Sequence, residues 1–261
     1  MKKNLFYSLI LFVLIVFIGA FVYCINFGNT VAIIGAMDDE ISEIKSRLHY
    51  SRTVKQNDFT VVIGRLGKFR IILAKSGVGK VAASTTTQFL IDKYKPDYLI
   101  NIGIAGSVSD NLKAGDMIIA EKMVQHDFDV TAFGCPRGYI DNGIEPDKPT
   151  IFYSDKKLVD SFKQEFKSRM NSPIVIGTVA TGDIFVNQEK LKKQIRDEFS
   201  ALAVDMECAA IAQSARKNNI PLVVIKTISD SENDSVREYK QNRLSSAQKS
   251  ELILLSILHS L

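Results

Sequence analysis

The stretch VAIIGAMDDEISEIKSRL (31–48) decides the fold, because it changes from a strand pattern to a helix pattern within a few residues. Its first part, VAIIGAM (31–37), is a short apolar run typical of a buried strand. The residues that follow repeat apolar side chains at helical spacing, at Ile41, Ile44 and Leu48. A strand that leads directly into a helix is the repeating unit of α/β proteins.

The same alternation continues along the chain. Apolar runs predict further strands at 59–66, 69–75, 97–103, 116–124, 174–180, 201–206 and 221–228. Helical spacing predicts helices at 79–95, 155–170, 188–199, 207–217 and 245–259. The Gly- and Pro-rich segment 134–150 predicts a long loop, a common form of lid or binding loop. Alternating strands and helices imply a mostly parallel sheet covered on both faces, and such sheets bind ligands beyond the carboxyl ends of their strands.

The first thirty residues differ in composition from the rest of the chain. An almost uninterrupted apolar run, residues 5–25, follows Lys2 and Lys3. About 20 apolar residues suffice to cross a bilayer as a helix, and the end of this run does not resemble a cleavage site. We therefore expect a signal-anchor rather than a cleaved signal peptide in residues 1–30. The early lysines place the N-terminus in the cytoplasm, so the domain 31–261 is expected outside it, membrane-anchored or exported.

Composition narrows the function classes. The formal net charge is +4 with both signs interspersed, which argues against a nucleic-acid partner and allows only weak polyanion affinity. Cys24, Cys135 and Cys208 are an odd, widely spaced set without zinc spacing or a disulfide framework. The three histidines are also scattered, so we expect no metal site.

Three acids stand where a predicted strand gives way to a loop or helix. They are Glu40 after VAIIGAM, Glu207 after ALAVDM and Asp230 after LVVIKTIS. Each one alone also fits a helix cap or first-turn acid, which the helix dipole favours. Three acids at equivalent strand ends favour a common cleft. Asp205 lies two positions before Glu207, and we expect it to be structural, either in a first helical turn or paired with another charge.

Two further motifs follow strand ends. The sequence SGVGK (76–80) is not a Walker loop, because Ala74 and Val81 occupy positions that require other residues. The glycines of GIAG (103–106) allow a ligand to approach the backbone, although a tight turn explains them almost as well. Phe185 in TGDIFVN is placed either to stack on a planar ligand or to fill the core.

Taken together, these motifs resemble one family, the 5′-methylthioadenosine/S-adenosylhomocysteine nucleosidases of the nucleoside phosphorylase superfamily. The matching stretches occur in family order across nearly the whole of residues 31–261. They are IIGAMDDEI (33–41), KSGVGKVAAS (75–84), NIGIAGSVSDNLKAGD (101–116), HDFDVTAFG (126–134), TGDIFVN (181–187), AVDMECAAIA (203–212) and ISD (228–230). The resemblance implies a three-layer α/β/α sandwich on a twisted mixed sheet, a homodimer, and no metal or organic cofactor.

The resemblance implies hydrolysis of the N-glycosidic bond of 5′-thioadenosines, which releases adenine and the thioribose. Asp230 matches the general acid that protonates adenine at N7, with Ser229 beside it as an orienting group. Glu40 matches the general base that activates the attacking water. Glu207 matches the carboxylate that grips the ribose hydroxyls and stabilises positive charge on the ring, with Met206 next to the ribose.

The same matches imply the remaining pocket residues. Phe185 would stack on adenine, the backbone of Val186 would recognise the purine edge, and Met37 would border the 5′ side. Phe133 matches a residue lent across the dimer interface to cover the 5′-alkylthio group. Two members of the glycine-rich turn, Ala105 and Gly106, would lie under the purine and ribose.

Two departures from the family pattern affect these implications. Ile104 stands in the substrate-contacting turn where the family often has Ser, and Lys226 replaces an Arg that orients a water or carboxylate. Two alternative functions remain. One is a phosphorolytic nucleoside phosphorylase, against which Glu40 argues because a carboxylate repels phosphate. The other is a surface-displayed polyanion-binding protein on the same scaffold.

Overall fold

The computed structural model describes residues 29–140, 147–169, 174–230 and 235–260. Ten strands of this part form one sheet. In chain order they are β1 Thr30–Gly35, β2 His49–Gln56, β3 Phe59–Leu66, β4 Phe69–Lys75, β5 Tyr98–Ser107, β6 Met117–Gln125, β7 Phe152–Tyr153, β8 Val175–Thr181, β9 Ala201–Asp205 and β10 Leu222–Asp230. The helices are α1 Ser42–Arg47, α2 Lys80–Tyr94, α3 Lys156–Arg169, α4 Glu189–Phe199, α5 Cys208–Lys217 and α6 Ser235–Ser260, with 3-10 turns at Asp38–Glu40 and Thr131–Phe133.

Strand β5 organises the sheet, because it pairs with three neighbours. Its first half pairs with β1, from Tyr98 to Asn101, and its end pairs with β9 at Gly106 and Ser107. Its other edge pairs with β10. The order β5–β10–β6–β8–β9 therefore closes on itself, while β1, β4, β3 and β2 extend outward from β5. The ends of β1, β5, β9 and β10 meet at one rim of this arrangement.

Helices cover both faces of the sheet, as the period-two pattern of β1 requires. Val31 and Ile33 pack in a core with residues of α1, α3 and α6, such as Ile44, Phe162 and Leu254. The alternate residues of β1, Ala32 and Ile34, pack in a separate core with residues of α2 and α5, which include Ala83, Leu90 and Ile211. The three-layer α/β/α arrangement with a mixed sheet is thereby confirmed.

The expectation of a mostly parallel sheet is wrong. Among the strands of the described ranges, five pairings are parallel and five are antiparallel. Strands joined by a tight turn must run antiparallel, and the β3–β4 hairpin turns at Gly67, whose φ of +56° suits glycine. The antiparallel β5–β9 and β6–β10 pairings close the five-stranded ring.

Strands β2 and β7 were not predicted, and helix α6 was predicted only in its later part. Strand β2, HYSRTVKQ, is exposed along nearly its whole length, so it lacks the apolar alternation that marks a half-buried strand. Helix α6 begins at Ser235, ten residues before the predicted start at 245. Its first turns are partly exposed and lie beside the cleft described below, so the apolar pattern appears only further along.

The predicted membrane segment, residues 5–25, lies outside the described residues. Within the described ranges, no helix combines the length and the apolar character that a membrane crossing requires. The predicted loop 134–150 is described at 134–140 and 147–150, where the backbone forms turns and bends without helix or strand.

Candidate active site

A cleft opens at the rim where β1, β5, β9 and β10 end. Its empty volume is about 600 Å³, and the side chains of Glu40, Glu207 and Asp230 all line it. Glu40 lies more than a hundred residues before the other two acids in the sequence. All three acids are buried. Carboxylates are rarely buried without partners, so the contacts of each acid decide what it can do.

Backbone N–H groups from two elements hold Glu40 in place. Ala36 and Met37 donate to Oε2 at 2.6 and 3.0 Å, and Ile104 at the end of β5 donates to Oε1 at 3.0 Å. Burial raises the pKa of Glu40, although the charge of Lys226 and the three N–H groups oppose this rise. A carboxyl with a raised pKa is a stronger base than an exposed one once it is ionised.

Gly103 makes room for this carboxylate. A Cβ atom at this position would lie 2.3 Å from Oε1 and 2.8 Å from Cδ of Glu40. The backbone φ of Gly103 is +149°, which side-chain-bearing residues rarely adopt. The first glycine of GIAG therefore serves the close approach of the Glu40 side chain.

Glu207 begins helix α5, and the backbone N–H of Gly79 donates to its Oε1 at 2.9 Å. Burial raises the pKa of Glu207 to about 7. Lys226 lowers it, whereas the negative charges of Asp205 and Glu40 raise it further. The charge of Glu207 is therefore sensitive to pH near neutrality.

Asp205 forms a buried ion pair with Lys226, whose Nζ lies 2.9 Å from Oδ2. Thr181 donates its hydroxyl to Oδ1 at 2.6 Å, and the backbone N–H of Cys208 donates to Oδ2 at 3.0 Å. Burial acts to raise the pKa of Asp205, but Lys226 and these donors hold it below its usual range. Burial of Lys226 acts to lower its pKa. The surrounding carboxylates, Asp205 above all, outweigh this effect and raise the pKa of Lys226. Asp205 therefore does have the charge-pairing role expected from the sequence.

Asp230 ends strand β10 and is buried beside Gly106 of β5. The hydroxyl of Ser229 donates to Oδ1 of Asp230 at 2.6 Å and also lies 3.3 Å from the carbonyl oxygen of Ala105. A Cβ atom on Gly106 would lie 3.0 Å from Oδ2 of Asp230. Ser229 thus has the position of an orienting group, and the second glycine of GIAG gives the carboxyl space.

The structure places all but one of the other predicted pocket residues around the same cleft. Phe185 is 41% exposed, which fits a ring that faces an open cleft better than a core residue. Phe133 is the exception: it is 86% exposed in the Thr131–Phe133 turn and does not line the cleft of the single chain. The remaining lining residues from the prediction are Met37, Ile104, Ala105, Gly106, Val186, Met206 and Ser229.

Tyr239 of helix α6 lines the cleft and was not predicted. Its ring lies edge-on to that of Phe185, with centroids 5.5 Å apart, and its hydroxyl is 3.7 Å from Sδ of Met37. The sequence signal was weak because this part of α6 lacks an apolar pattern. Val78 and Ile184 also border the cleft, from turns that sequence periodicity does not describe.

Comparisons with known proteins agree with this geometry. The family model described as "Phosphorylase superfamily" matches residues 30–259. A 5′-methylthioadenosine/S-adenosylhomocysteine nucleosidase of Buchnera aphidicola is 40% identical over 214 residues, which cover 81% of this chain and 90% of the relative. The architecture and the cleft thus have the form of a phosphorylase-superfamily protein.

Two solved structures are similar over nearly the whole fold. The nucleosidase from Neisseria meningitidis in complex with methylthio-immucillin-A has a TM-score of 0.83 at 32% identity, covering 90% of this chain and 100% of that one. The S-adenosylhomocysteine nucleosidase from Streptococcus pyogenes in complex with 5-methylthiotubericidin has a TM-score of 0.83 at 34% identity, covering 90% and 98%. The chain belongs to the 5′-methylthioadenosine/S-adenosylhomocysteine nucleosidase family.

Proposed function

We infer that this chain is an N-glycosyl hydrolase, which cleaves the bond between adenine and the thioribose of 5′-methylthioadenosine and S-adenosylhomocysteine. The observation that carries this inference is the convergence of Glu40, Glu207 and Asp230, from three separate strand ends, on one cleft of nucleoside size. The Buchnera aphidicola relative at 40% identity bears a name with the same activity.

Asp230 is proposed as the general acid. Adenine is a poor leaving group as an anion, so a proton must reach N7 while the glycosidic bond stretches. Asp230 is the last residue of β10, and its Oδ1 accepts a hydrogen bond from the Ser229 hydroxyl. The carboxyl therefore has one defined orientation. The protonated carboxyl donates to N7, and its other oxygen is suited to accept from the 6-amino group of adenine.

Glu40 is proposed as the general base for water. Its three backbone donors hold the carboxylate rigidly, and its raised pKa favours proton transfer from water to the base. Ile104 contributes its backbone N–H to this arrangement, so the side-chain hydroxyl that the family often carries here is not needed to hold Glu40.

Glu207 is proposed to accept hydrogen bonds from the ribose hydroxyls and to stabilise the positive charge that develops on the ring. Both tasks need the ionised form. Lys226 favours that form, because its charge lowers the pKa of Glu207 against the effect of burial. The Lys226–Asp205 pair therefore supports the proposed ribose ligand through its charge.

The apolar residues of the cleft are proposed to hold the rest of the nucleoside. Phe185 is suited to stack on adenine, with Val186 presenting backbone to the purine edge. Met206 would lie against the ribose beside Glu207. Met37 and Tyr239 lie in contact with each other and would border the 5′-thio side, where a thioether sulfur and an aromatic ring form favourable contacts.

Phosphorolysis is the first rival reaction. A nucleoside phosphorylase needs a phosphate site at the face from which C1′ is attacked. Glu40 stands there with its oxygens held by backbone N–H groups, and a second anion beside it would be repelled. Adenine release that is independent of phosphate will distinguish hydrolysis from phosphorolysis.

Polyanion binding is the second candidate, and one observation favours it. Arg52, Arg65 and Arg70 line a separate open groove beside Thr30, away from the nucleoside cleft. Retention on a sulfated polysaccharide column, with its salt dependence, is the test. Retention by a Glu40→Gln variant, and its loss on replacing the three arginines with alanine, would assign a second binding surface to that groove.

A homodimer is proposed to complete the 5′ end of the site. The exposure of Phe133 supports the dimer, because an aromatic side chain that is 86% exposed suits a protein interface. We expect Phe133→Ala to raise KM for both nucleosides without a comparable loss of kcat. Tyr153→Ala, at a ring 63% exposed on β7, is the matched control. The proposal would be refuted if light scattering showed the wild-type protein to be a monomer and Phe133→Ala left KM unchanged.

Anchoring in a membrane is proposed for residues 5–25, with the enzymatic domain outside the cytoplasm. The support is their apolar composition after two lysines. We expect the full chain in the membrane fraction and digestible by protease added to intact cells. A soluble or protease-protected full chain would contradict the proposal.

Adenine release tests the inferred activity. Residues 29–261 are incubated with 5′-methylthioadenosine or S-adenosylhomocysteine, with and without phosphate, and adenine is measured by chromatography. We expect release from both nucleosides at rates that phosphate does not change. Folded protein that releases no adenine from either would overturn the enzymatic assignment.

A further inference from the structure

Three turns beside the cleft are joined by a ring of polar contacts that the roles above do not use. They are the start of α2 at Gly79 and Lys80, the turn after β6 at Asp127, and the turn after β8 at Asp183. The first and last of these turns also supply cleft residues, Val78 and Phe185 among them. The ring therefore borders the site without facing its reacting atoms.

The contacts of the ring are short hydrogen bonds that join each turn to the other two. Nζ of Lys80 donates to Oδ1 of Asp127 at 2.6 Å, and the backbone N–H of Asp183 donates to Oδ2 of Asp127 at 2.9 Å. The backbone N–H of Lys80 donates in turn to Oδ1 of Asp183 at 2.8 Å. We call these three residues, Lys80, Asp127 and Asp183, the clasp.

Two of the three clasp side chains, those of Lys80 and Asp127, are largely shielded from solvent, whereas Asp183 is exposed. The side chains of Lys80 and Asp127 are only 18% and 14% exposed. Burial acts to raise the pKa of Asp127, yet the donors from Lys80 and Asp183 hold that pKa below its ordinary value. Asp127 therefore stays ionised across the neutral range and keeps both of its acceptors in use.

Close packing keeps the turns in fixed relation. A Cβ atom on Gly182 would lie 2.4 Å from Nε2 of His126 and 3.1 Å from Cγ of Asp127. A Cβ atom on Gly79, where φ is +98°, would lie 3.0 Å from Oδ1 of Asp183. Both glycines thus allow an approach between turns that any larger residue would prevent.

The clasp links the two halves of the nucleoside site. Successive N–H groups at the start of α2 point to different partners: Gly79 donates to Glu207 at 2.9 Å, and Lys80 donates to Asp183. Glu207 is the proposed ribose ligand, and Asp183 precedes the proposed adenine-stacking Phe185 by two residues. One turn is therefore bonded both to the ribose side and to the base side of the cleft.

We propose that Lys80, Asp127 and Asp183 are positioning residues that fix the separation between Phe185 and Glu207. This inference rests on the proposed function. As the glycosidic bond breaks, adenine and ribose must be held apart in defined orientations, and small displacements of either anchor reduce the rate. The clasp acts through those two anchors and touches neither adenine nor ribose.

Two substitutions at one position test the proposal. Asp183→Ala removes the acceptor of the Lys80 N–H group, whereas Asp183→Asn keeps an oxygen at the Oδ1 position. We expect kcat/KM for 5′-methylthioadenosine to fall about ten-fold in Asp183→Ala and to stay within about three-fold of wild type in Asp183→Asn. Asp160→Ala, which breaks an exposed ion pair with Lys156 on α3, is the control and should leave kcat/KM unchanged.

A double-mutant cycle with Phe185→Ala separates positioning from a general structural effect. If Asp183 acts through Phe185, adding Asp183→Ala to Phe185→Ala should cost less than about two-fold in kcat/KM. A purely structural role predicts the same ten-fold loss in both backgrounds and a matching fall in melting temperature. Melting curves of all variants accompany the kinetics.

The outcomes separate this inference from the proposed function. Adenine release by the wild type, a specific loss in Asp183→Ala, rescue by Asp183→Asn and non-additivity with Phe185→Ala would support the clasp. Release by the wild type with Asp183→Ala unchanged, or with fully additive losses, would overturn the clasp and leave the enzyme assignment intact. Folded wild-type protein without adenine release would overturn both.

Discussion

At the residue scale, the role proposed for Glu40 requires a carboxylate that is both buried and basic. Replacement by Gln keeps the size and the acceptor oxygen but removes the base. We expect Glu40→Gln to lower kcat by about two to four orders of magnitude while KM changes little. Steady-state adenine release measures this, with Glu43→Gln on α1 as control. Less than a ten-fold fall in kcat would remove Glu40 from the role of base.

The raised pKa of Glu207 predicts that activity and stability both depend on pH near neutrality. Its pKa is raised to about 7, and the ribose binding proposed for it needs the ionised form, so kcat/KM should rise with pH through about 7. The folded protein also binds this proton more tightly than the unfolded chain does. The stability contributed by the protonated form is therefore present at low pH and is lost as pH rises from about 4.5 to about 7.

A pH profile of kcat/KM tests this prediction, with Glu207→Gln as the matched variant. The limb near pH 7 should disappear in Glu207→Gln, together with most of the activity. An acidic limb that stays at the same pH in that variant would assign the titration to another group.

The buried pair of Lys226 and Asp205 predicts a stability effect. Lys226→Met leaves the Asp205 carboxylate buried without its cation, which should cost about 3–5 kcal/mol in the free energy of unfolding. Because Lys226 lowers the pKa of Glu207, the pH limb of any residual activity should also move upward. Urea unfolding measures the loss, and Lys156→Met, in an exposed pair with Asp160, is the control. Equal losses in the two variants would contradict the account.

The positions of the site residues were predictable from the sequence to differing degrees. The positions of Glu40 and Asp230 followed from strand ends, since the carboxyl ends of the parallel strands β1 and β10 meet at one edge beside β5. Glu207 reaches the same edge although β9 runs antiparallel to β5. The pairing of Asp205 was expected, but its partner Lys226 could not be identified, because the two lie on β9 and β10, which are not adjacent in the sheet. Tyr239 could not be found, because its helix turn has no apolar pattern.

At the scale of elements, the end of β5 is the part on which the site depends most. It carries Gly103, which leaves room for Glu40, and Ile104, which donates to it. We expect Gly103→Ala to lower kcat/KM by about two orders of magnitude, because the new Cβ would displace the Glu40 carboxylate. Adenine release and a melting curve measure the effect.

Gly115 offers a matched control for that prediction. It also has a positive φ, +89°, but a Cβ atom there would meet nothing within 4 Å. Gly115→Ala should therefore lose some stability from backbone strain and keep its kcat/KM within about two-fold. Equal kinetic losses in Gly103→Ala and Gly115→Ala would show that backbone strain, and not displacement of Glu40, is responsible.

Most strands were predictable because the sheet is buried on both faces, so its strands are short, nearly continuous apolar runs. Two of the exceptions share one cause. Strand β2 and the start of α6 lie at surfaces, so burial imposes no period on their sequences. The antiparallel closure of β5 with β9 and of β6 with β10 was not readable from alternation, because alternation reports order along the chain and not direction across the sheet.

At the scale of the whole molecule, the fold brings distant strand ends to one rim and leaves a cleft lined by acids and apolar rings. Backbone N–H groups hold the Glu40 carboxylate at the proposed attacking face, where a phosphorylase would need a cation. Water is therefore the expected nucleophile, and this expectation joins the fold, the site and the reaction.

Reaction in water enriched in oxygen-18 tests that claim most directly. Residues 29–261 are mixed with 5′-methylthioadenosine in labelled water containing phosphate, and the sugar product is examined by mass spectrometry before it exchanges oxygen. Hydrolysis by water predicts methylthioribose with one labelled oxygen at C1 and no sugar phosphate. A methylthioribose 1-phosphate product without label at C1 would contradict it.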